Sequence, residues 1–488
     1  MHQPRFLVLA AVPIVFVLMA SQVLAYTFVT GSPVKASGPS PFAGCLVGGT
    51  PSSTLYPEAE VEPFVAVNPT NSNNVIGVFQ QDRWSDGGSR GLVTARSGDG
   101  GTTWARNFAA FSTCSGNPPS NTYERASDPW VTFDPAGNAY QISLSVSGDE
   151  VLSSVLVAKS SNGGGSWSAP TTLIRDPDPL HFNDKESITA DPTRSGYVYA
   201  VWDRGTFPSD QRNNRSFIGS HAYRGQPMFS RTTDGGQTWS TPVGMSNSNI
   251  FTIGNQIAVL PNGTLVDIFQ KFQGSGVQPS PQAATESVML SGDAGLTWSE
   301  PIDIALWFPE AVSDPDNSAP VRTGNGLPDI AVNSSTGTIY AVWEDGRFSA
   351  DGHADIAMSK SVDGGHKWSP PVKVNQSPAG VQTFTPAVAV SADGTVGVTY
   401  YDFRNNTAAP GVPTDAWFVH SHDGGATWAE QHVAGPFDIE TAPVARGYFL
   451  GDYEGLATSG NDFLAFFVMT NSGNFANRTD VFSVRLSR

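Results

Sequence analysis

The chain is poor in the residues that build metal and thiol sites. Its 488 residues include only two cysteines, Cys45 and Cys114. It contains no CxxC, no HExxH and no Cys/His cluster. A structural or catalytic zinc is therefore not expected, nor is any other metal or cofactor. Charge is scarce as well. Only 15% of the residues are Asp, Glu, Lys or Arg, and they lean acidic, to a net charge of −17. That balance argues against nucleic acid and anionic membrane surfaces as partners. Outside the extreme N-terminus no long stretch repeats its apolar residues every 3.6 positions, so long helices are absent from the expectation.

Turn chemistry and large rings are what the chain has in quantity. Gly 50 and Pro 36 suit a turn-rich all-β protein, and Trp 12 and Phe 28 supply side chains that pack between twisted sheets. The N-terminus starts Met1-His2-Gln3-Pro4-Arg5 and runs apolar from Phe6 to Ala20. It then ends in small residues at Ser21-Gln22-Val23-Leu24-Ala25. That order is the order of a secretory signal over residues 1–25, with cleavage after Ala25. An uncleaved anchor is the alternative, because the apolar run approaches the roughly 20 residues a membrane helix needs. Either way the body is expected outside the cytoplasmic membrane, secreted if cleaved, with no second spanning segment. In that compartment Cys45 and Cys114 can close one disulfide, tying residues 26–56 to the body; two free thiols are the alternative.

One eight-residue phrase organises the rest. It reads Ser361-Val362-Asp363-Gly364-Gly365-His366-Lys367-Trp368, and it recurs at Ser97–Trp104, Ser160–Trp167, Thr232–Trp239, Ser291–Trp298 and Ser421–Trp428. Near-regular recurrence of this kind marks a repeat architecture. A hydroxyl and a carboxylate two residues apart bond local backbone N–H groups, while the glycines supply φ > 0. Each copy is expected to be a hairpin turn anchored by its Trp, a structural role. The phrase resembles the Asp-box, or BNR repeat, of sialidase-like β-propellers; Asn162 stands for Asp in one copy. The resemblance implies an all-β propeller of four-stranded blades over residues 57–488, and either a glycosidase or a binding protein.

First strands of the blades read Pro63–Pro69, Pro129–Pro135, Ser187–Pro192, Gln256–Pro261, Asp329–Asn333 and Ala387–Ser391, small and β-branched as crowding near an axis requires. A seventh, incomplete copy follows the last phrase and stops where its fourth strand is due. A strand near Tyr26–Thr30 is expected to fill that edge, giving seven blades; six is the alternative. A monomer is expected.

Residues just before first strands and just after second strands converge on the face opposite the Asp-boxes. Those positions are rich in ionisable groups. Before first strands stand Glu60 and Glu62, Arg125 and Asp128, Asp184-Lys185-Glu186, and Asp452-Tyr453-Glu454. After second strands stand Asp82-Arg83, Asp203-Arg204, Glu344-Asp345 with Arg347, and Tyr401-Asp402 with Arg404. The sialidase resemblance implies an arginine clamp on a sugar carboxylate, an aspartic acid and a Tyr/Glu nucleophile pair. Arg83, Arg204, Arg347 and Arg404 are the candidates for the clamp, Asp128 or Asp184 for the acid, and Tyr401 or Tyr453 with Glu454 for the nucleophile. The arginine phrase that such enzymes carry before the first blade is missing; Glu62-Pro63-Phe64-Val65 occupies its place. The recurring acid–Arg pairs are also what a repeated bridge fixing each loop looks like, with Asp355, Asp415 and Asp480 as partners. The leading functional expectation is an exo-glycosidase releasing sialic acid or a similar sugar from extracellular glycans. A non-catalytic glycan- or protein-binding propeller is the alternative. So is a hydrolase of another glycan, with Trp84, Trp202 and Trp343 as contact rings.

Overall fold

The computed structural model describes residues 27–206, 224–246, 250–272, 284–350 and 352–488; the leader expected over 1–25 lies outside them. The regular structure is strand, interrupted by one-turn 3-10 segments such as Thr113–Ser115 and Ile439–Thr441.

Among the described residues, seven antiparallel units succeed one another. Their first strands are Leu55–Val67, Arg125–Phe133, His181–Ala190, Phe251–Val259, Asp329–Val332, Thr383–Val390 and Gly455–Ser459. The sixth unit shows the plan. Thr383–Val390 pairs with Val396–Asp402, which pairs with Pro413–Ser421, which pairs with Ala429–Asp438. In the seventh, Asp462–Thr470 and Thr479–Ser487 follow the first strand, and the chain then ends. Its outer edge is taken by the other end of the protein: Val29 pairs with Ser487 and Val34 with Ser483, both antiparallel. The N-terminal strand expected near Tyr26–Thr30 is thus Val29–Thr30, and a second, Val34–Lys35, joins it. Phe28 pins this segment, meeting the rings of Phe418 and Phe463 edge-on.

Each first strand packs on the first strand of the next unit, and Gly455–Ser459 packs on Leu55–Val67. The eight-residue phrases turn between third and fourth strands as expected. In the first, Ser97 Oγ donates to Asp99 Oδ1 at 2.7 Å, Gly101 N donates to Ser97 Oγ at 2.9 Å, and Thr103 N donates to Asp99 Oδ1 at 2.8 Å. Gly100 and Gly101 carry φ of 72° and 94°, which only a glycine adopts without strain. Asn162 keeps the geometry, accepting from Ser166 N at 3.0 Å. The Trp of the phrase reaches across to the preceding unit. Trp104 Nε1 donates to Ser483 Oγ, Trp167 Nε1 to Asn107 Oδ1, and Trp298 meets the Phe229 ring. The phrase is therefore an inter-unit clamp as well as a turn.

A second repeated device sits at the start of the first strands. Register slips between Val61 and Phe64, Ser127 and Trp130, Asp184 and Ser187, Ile253 and Gln256, and Phe384 and Ala387. In each slip one residue is left-handed: Glu62 (φ 53°), Asp128 (51°), Lys185 (48°), Gly254 (76°) and Thr385 (52°). A bulge re-aims the side chain it carries. Four of these five are not glycine, a conformation that persists only where the surrounding structure imposes it.

Cys45 and Cys114 form a disulfide. The extension is tied down further by Ser40, whose Oγ donates to Asp82 at 2.7 Å while its N–H donates to Glu58. Two connecting segments depart from the repeat, between Ile302–Leu306 and Asp329–Val332 and between Ala429–Asp438 and Gly455–Ser459. They meet in a short parallel ladder, Val321 with Tyr448 and Arg322 with Phe449.

Candidate functional site

The re-aimed bulge residues of the first three units meet. Lys185 Nζ lies 2.8 Å from Asp128 Oδ1, 3.4 Å from Glu62 Oε1 and 2.7 Å from Asp452 Oδ2. Asp452 in turn receives Arg322, whose Nε donates at 3.0 Å. The connecting ladder delivers that arginine: pairing Arg322 with Phe449 sets the guanidinium 4.4 Å over the Phe449 ring. Arg83 lies over the same ring, at 5.0 Å.

These groups surround a cavity of about 100 Å³ lined by Glu62, Arg83, Asp128, Glu150, Asp184, Lys185, Arg322 and Arg446, among others. Its arginines are unequal. Arg322 is paired to Asp452. Arg83 is only 2% exposed, and its hydrogen bond runs from Nη1 to the Gln80 carbonyl oxygen at 2.8 Å. Its Nε has no partner, and no carboxylate of the described residues pairs with it. Burial lowers its pKa below the usual guanidinium value. Arg446, exposed and left-handed at φ 68°, stands at the rim. A buried arginine without a carboxylate partner keeps donors that an anion could accept from.

The carboxyls are tuned apart. Burial, reinforced by Asp128 and Asp452, raises Glu62 to about 7 against the pull of Lys185 and Arg83. Burial likewise raises Asp184 to about 6, with Lys185 opposing and Asp128 reinforcing. Asp452 goes the other way, because Lys185 and Arg322 outweigh its burial and hold it well below the carboxylate range. Carboxyls with separated affinities for a proton, beside an anion site, make an arrangement suited to general acid chemistry.

The residues singled out in the sequence fall into three groups. Asp128, Asp184 and Arg83 line this cavity. Arg204, Arg347 and Arg404 do not; each is held in its own neighbourhood. Arg204 forks onto Asp176 at 2.8 and 2.7 Å. Arg347 forks onto Asp345 at 2.9 and 2.8 Å, and Arg404 bonds Asp402 and Glu430 while stacking 3.6 Å over Trp417. These are bridges of the structural kind, with partners other than those expected. Asp355 pairs with Lys373, Asp415 with His432 and Asp480 with Lys35. The tyrosines form the third group. Tyr401 is wholly buried; its hydroxyl donates to Val468 O at 2.6 Å and accepts from Val468 N. Tyr453 packs on Trp130 and donates to Pro129 O at 3.1 Å. Burial, then the neighbouring carboxylates, push its pKa well above 10, the opposite of an activated nucleophile. Glu454 is buried against the Tyr401 hydroxyl, and burial raises it well above the carboxylate range. Neither tyrosine nor Glu454 lines the cavity.

Glu62 and Lys185 stood among the ionisable positions before first strands, but nothing assigned them a role. The bulge explains both. Arg322, Arg446 and Phe449 come from segments outside the repeat, where no periodicity announces a position. Among the described residues, Asp176, Asp178 and His181 alone approach the spacing of metal ligands. Asp176 is already forked by Arg204, and Asp178 faces His181 Nδ1 at 3.0 Å.

Fold and site together define an all-β repeat protein whose ionisable groups gather where the bulges of its first three first strands meet the connecting ladder. No family model matches the chain, and no curated protein matches it in sequence. Several solved structures resemble it at low identity. One is a protein of unknown function from Dyadobacter fermentans, 15% identical, covering 89% of this chain and 98% of its own, with a TM-score of 0.46. Another is the GH93 α-L-arabinofuranosidase of Fusarium graminearum, 14% identical, covering 76% of this chain and 92% of its own, TM-score 0.46. A third is the NanB sialidase of Streptococcus pneumoniae as its K499G mutant, 9% identical, covering 94% and 99%, TM-score 0.46.

Proposed function

We propose that the chain is an exported exo-glycosidase of sialidase-like type, a seven-bladed propeller closed by its N-terminal strands, acting on a terminal sugar that bears a carboxylate. One observation carries this reading: a buried arginine free of carboxylate partners, Arg83, shares a cavity with Arg322, Arg446 and the carboxyls of Asp128 and Asp184. Arg83 and Arg446, steadied by Arg322, receive the sugar carboxylate. Asp184, which keeps its proton to about pH 6, donates it to the departing oxygen. Asp128, paired to Lys185, is the second carboxylate and supports the positive charge that develops at the anomeric carbon. A water then attacks that carbon, giving its proton to the Asp184 carboxylate left by the first step. No metal enters this scheme. The tyrosine nucleophile expected from the resemblance is absent from it, because neither candidate lines the cavity.

The test is release of a fluorogenic aglycone from an α-sialoside, a β-glucuronide and neutral glycosides by the exported chain. Turnover of an acidic glycoside is expected. Asp184→Asn should lower kcat by about 10²-fold or more, the usual weight of a general acid. Arg83→Ala should raise KM for acidic substrates alone. Full activity in Asp184→Asn, or no turnover of any glycoside by folded protein, sinks the reading in favour of a binding propeller.

A further inference from the structure

Arg83 and Glu62 sit in the same buried corner without touching. Between them lies one amide. Gln80 donates through Nε2 to Glu62 Oε2 and to Ser127 Oγ, the latter at 3.0 Å, while its carbonyl oxygen accepts from Arg83 Nη1 at 2.8 Å. The amide thus uses its donor on the acid and its acceptor on the base. All three residues come from one hairpin: Glu62 on Leu55–Val67, Gln80 and Arg83 on Val75–Trp84. All three are at most 2% exposed. Without the spacer a carboxylate and a guanidinium this close would pair, and Arg83 would have nothing left for a ligand.

The surroundings of Glu62 make its charge decisive. Facing it are Arg83 on the neighbouring strand, Asp128 in the second unit, Lys185 in the third, and Asp452 on the segment leading into the seventh. Arg322 from the connecting ladder and the Tyr453 ring complete the shell. Lys185 is already shared among Glu62, Asp128 and Asp452. One more negative charge here falls on Arg83.

We propose that Gln80 insulates Arg83 from Glu62, and that the proton on Glu62 controls whether Arg83 accepts an anionic ligand. It rests on the cavity being an anion site, and it adds a regulator to that site. Protonated Glu62 leaves the Arg83 charge uncompensated and the ligand enters. Ionised Glu62 supplies the negative field the ligand would have supplied, and repels it. The sign follows. Glu62 is neutral below about pH 7 and charged above it, so anion affinity is high on the acid side and declines as pH rises through about 7. If only the protonated form binds, the decline is roughly tenfold between pH 6 and pH 8.

Calorimetric titration with N-acetylneuraminic acid and with D-glucuronic acid from pH 5 to pH 8 tests this without requiring turnover. Wild-type protein should lose affinity roughly tenfold between pH 6 and pH 8 for at least one of the two. Glu62→Gln should bind as tightly at pH 8 as wild type does at pH 6. Gln80→Glu, which sets a carboxylate directly on Arg83, should bind at least tenfold more weakly at pH 6. A thermal melt of each variant separates misfolding from lost binding, and a folded Gln80→Glu decides the matter should Glu62→Gln not fold. Binding that is independent of pH in wild type, or a Glu62→Gln profile that follows wild type, overturns the proposal. So does the absence of binding at every pH. Pronounced pH-dependent binding without hydrolysis would sustain it while sinking the glycosidase reading.

Discussion

At the scale of single residues, the four candidate arginines look alike in the sequence, each within two residues of an acid at the end of a second strand. Only Arg83 turns into the cavity. One backbone angle sets it apart. Asp82 is left-handed at φ 62°, whereas Asp203, Asp345 and Asp402 are not. A single left-handed residue breaks the alternation of a strand and re-aims the next side chain. Composition carries no trace of such an angle, so the arginines were legible as a set of positions but not as a choice among them. The tyrosines failed for a related reason. Tyr453 and Glu454 are adjacent just ahead of Gly455–Ser459, yet Tyr453 packs on Trp130 while Glu454 meets Tyr401.

Another single residue invites a test of stability. Asp267 lies at 0% exposure in a cluster with Leu265, Phe269, Met289 and Ile257, opposite Ile257 in register. Neither carboxyl oxygen has a partner among the described residues, and burial, then Asp203, raises it well above the carboxylate range. The equivalent positions opposite Ile188, Ile330 and Val388 hold Ala200, Ala341 and Val398. Asp267→Val should therefore stabilise the fold by about 1–3 kcal/mol, the desolvation of an unpaired polar group. A denaturant midpoint no higher than wild type would refute the account.

At the scale of elements, the plan was plain in the sequence because it repeats. Six phrases located six turns, and strand-like runs located the first strands. The bulges were not plain. Glu62-Pro63, Asp128-Pro129 and Thr385-Pro386 precede three of them, but Lys185-Glu186 and Gly254-Asn255 do not share the proline, so no common motif marks the device. The N-terminal segment gives the element-scale prediction. Phe28 is 6% exposed against Phe418 and Phe463, and truncating a buried phenylalanine costs about 3–5 kcal/mol. Phe28→Ala should lower stability by an amount of that order. Removing residues 27–37 should also leave Thr479–Ser487 as a bare edge, with concentration-dependent aggregation in light scattering. A truncated chain that remains monomeric and equally stable would show that the segment is dispensable.

At the scale of the whole molecule, two populations of carboxyls pull stability in opposite directions. The turn aspartates Asp99, Asp234, Asp293 and Asp423 are lowered to about 2: hydrogen bonds hold Asp99 and Asp234 there, and at Asp293 and Asp423 they outweigh slight burial. A carboxyl depressed in the fold stabilises above its unfolded value, about 3.9, and loses that contribution as pH falls towards 2. The central carboxyls behave in reverse. Burial raises Glu62, Asp203, Asp329 and Glu344 to about 7 and Asp184 to about 6. Each is best tolerated below its unfolded value and costs stability as pH climbs from about 4 through the folded one. The melting temperature should therefore peak on the acid side, near pH 4 to 5, and fall towards neutrality. A maximum at pH 7 or above in melts from pH 3 to pH 9 would contradict this balance.

The pairing of Val29 with Ser487 has a consequence for how the molecule is made. The ribosome delivers the N-terminal strands early and their partner only after six other units. Until Thr479–Ser487 emerges, Val29–Thr30 and Val34–Lys35 lack that partner, and the seventh unit is a half-built sheet. Folding of that seam waits for Thr479–Ser487, however early the first six units settle.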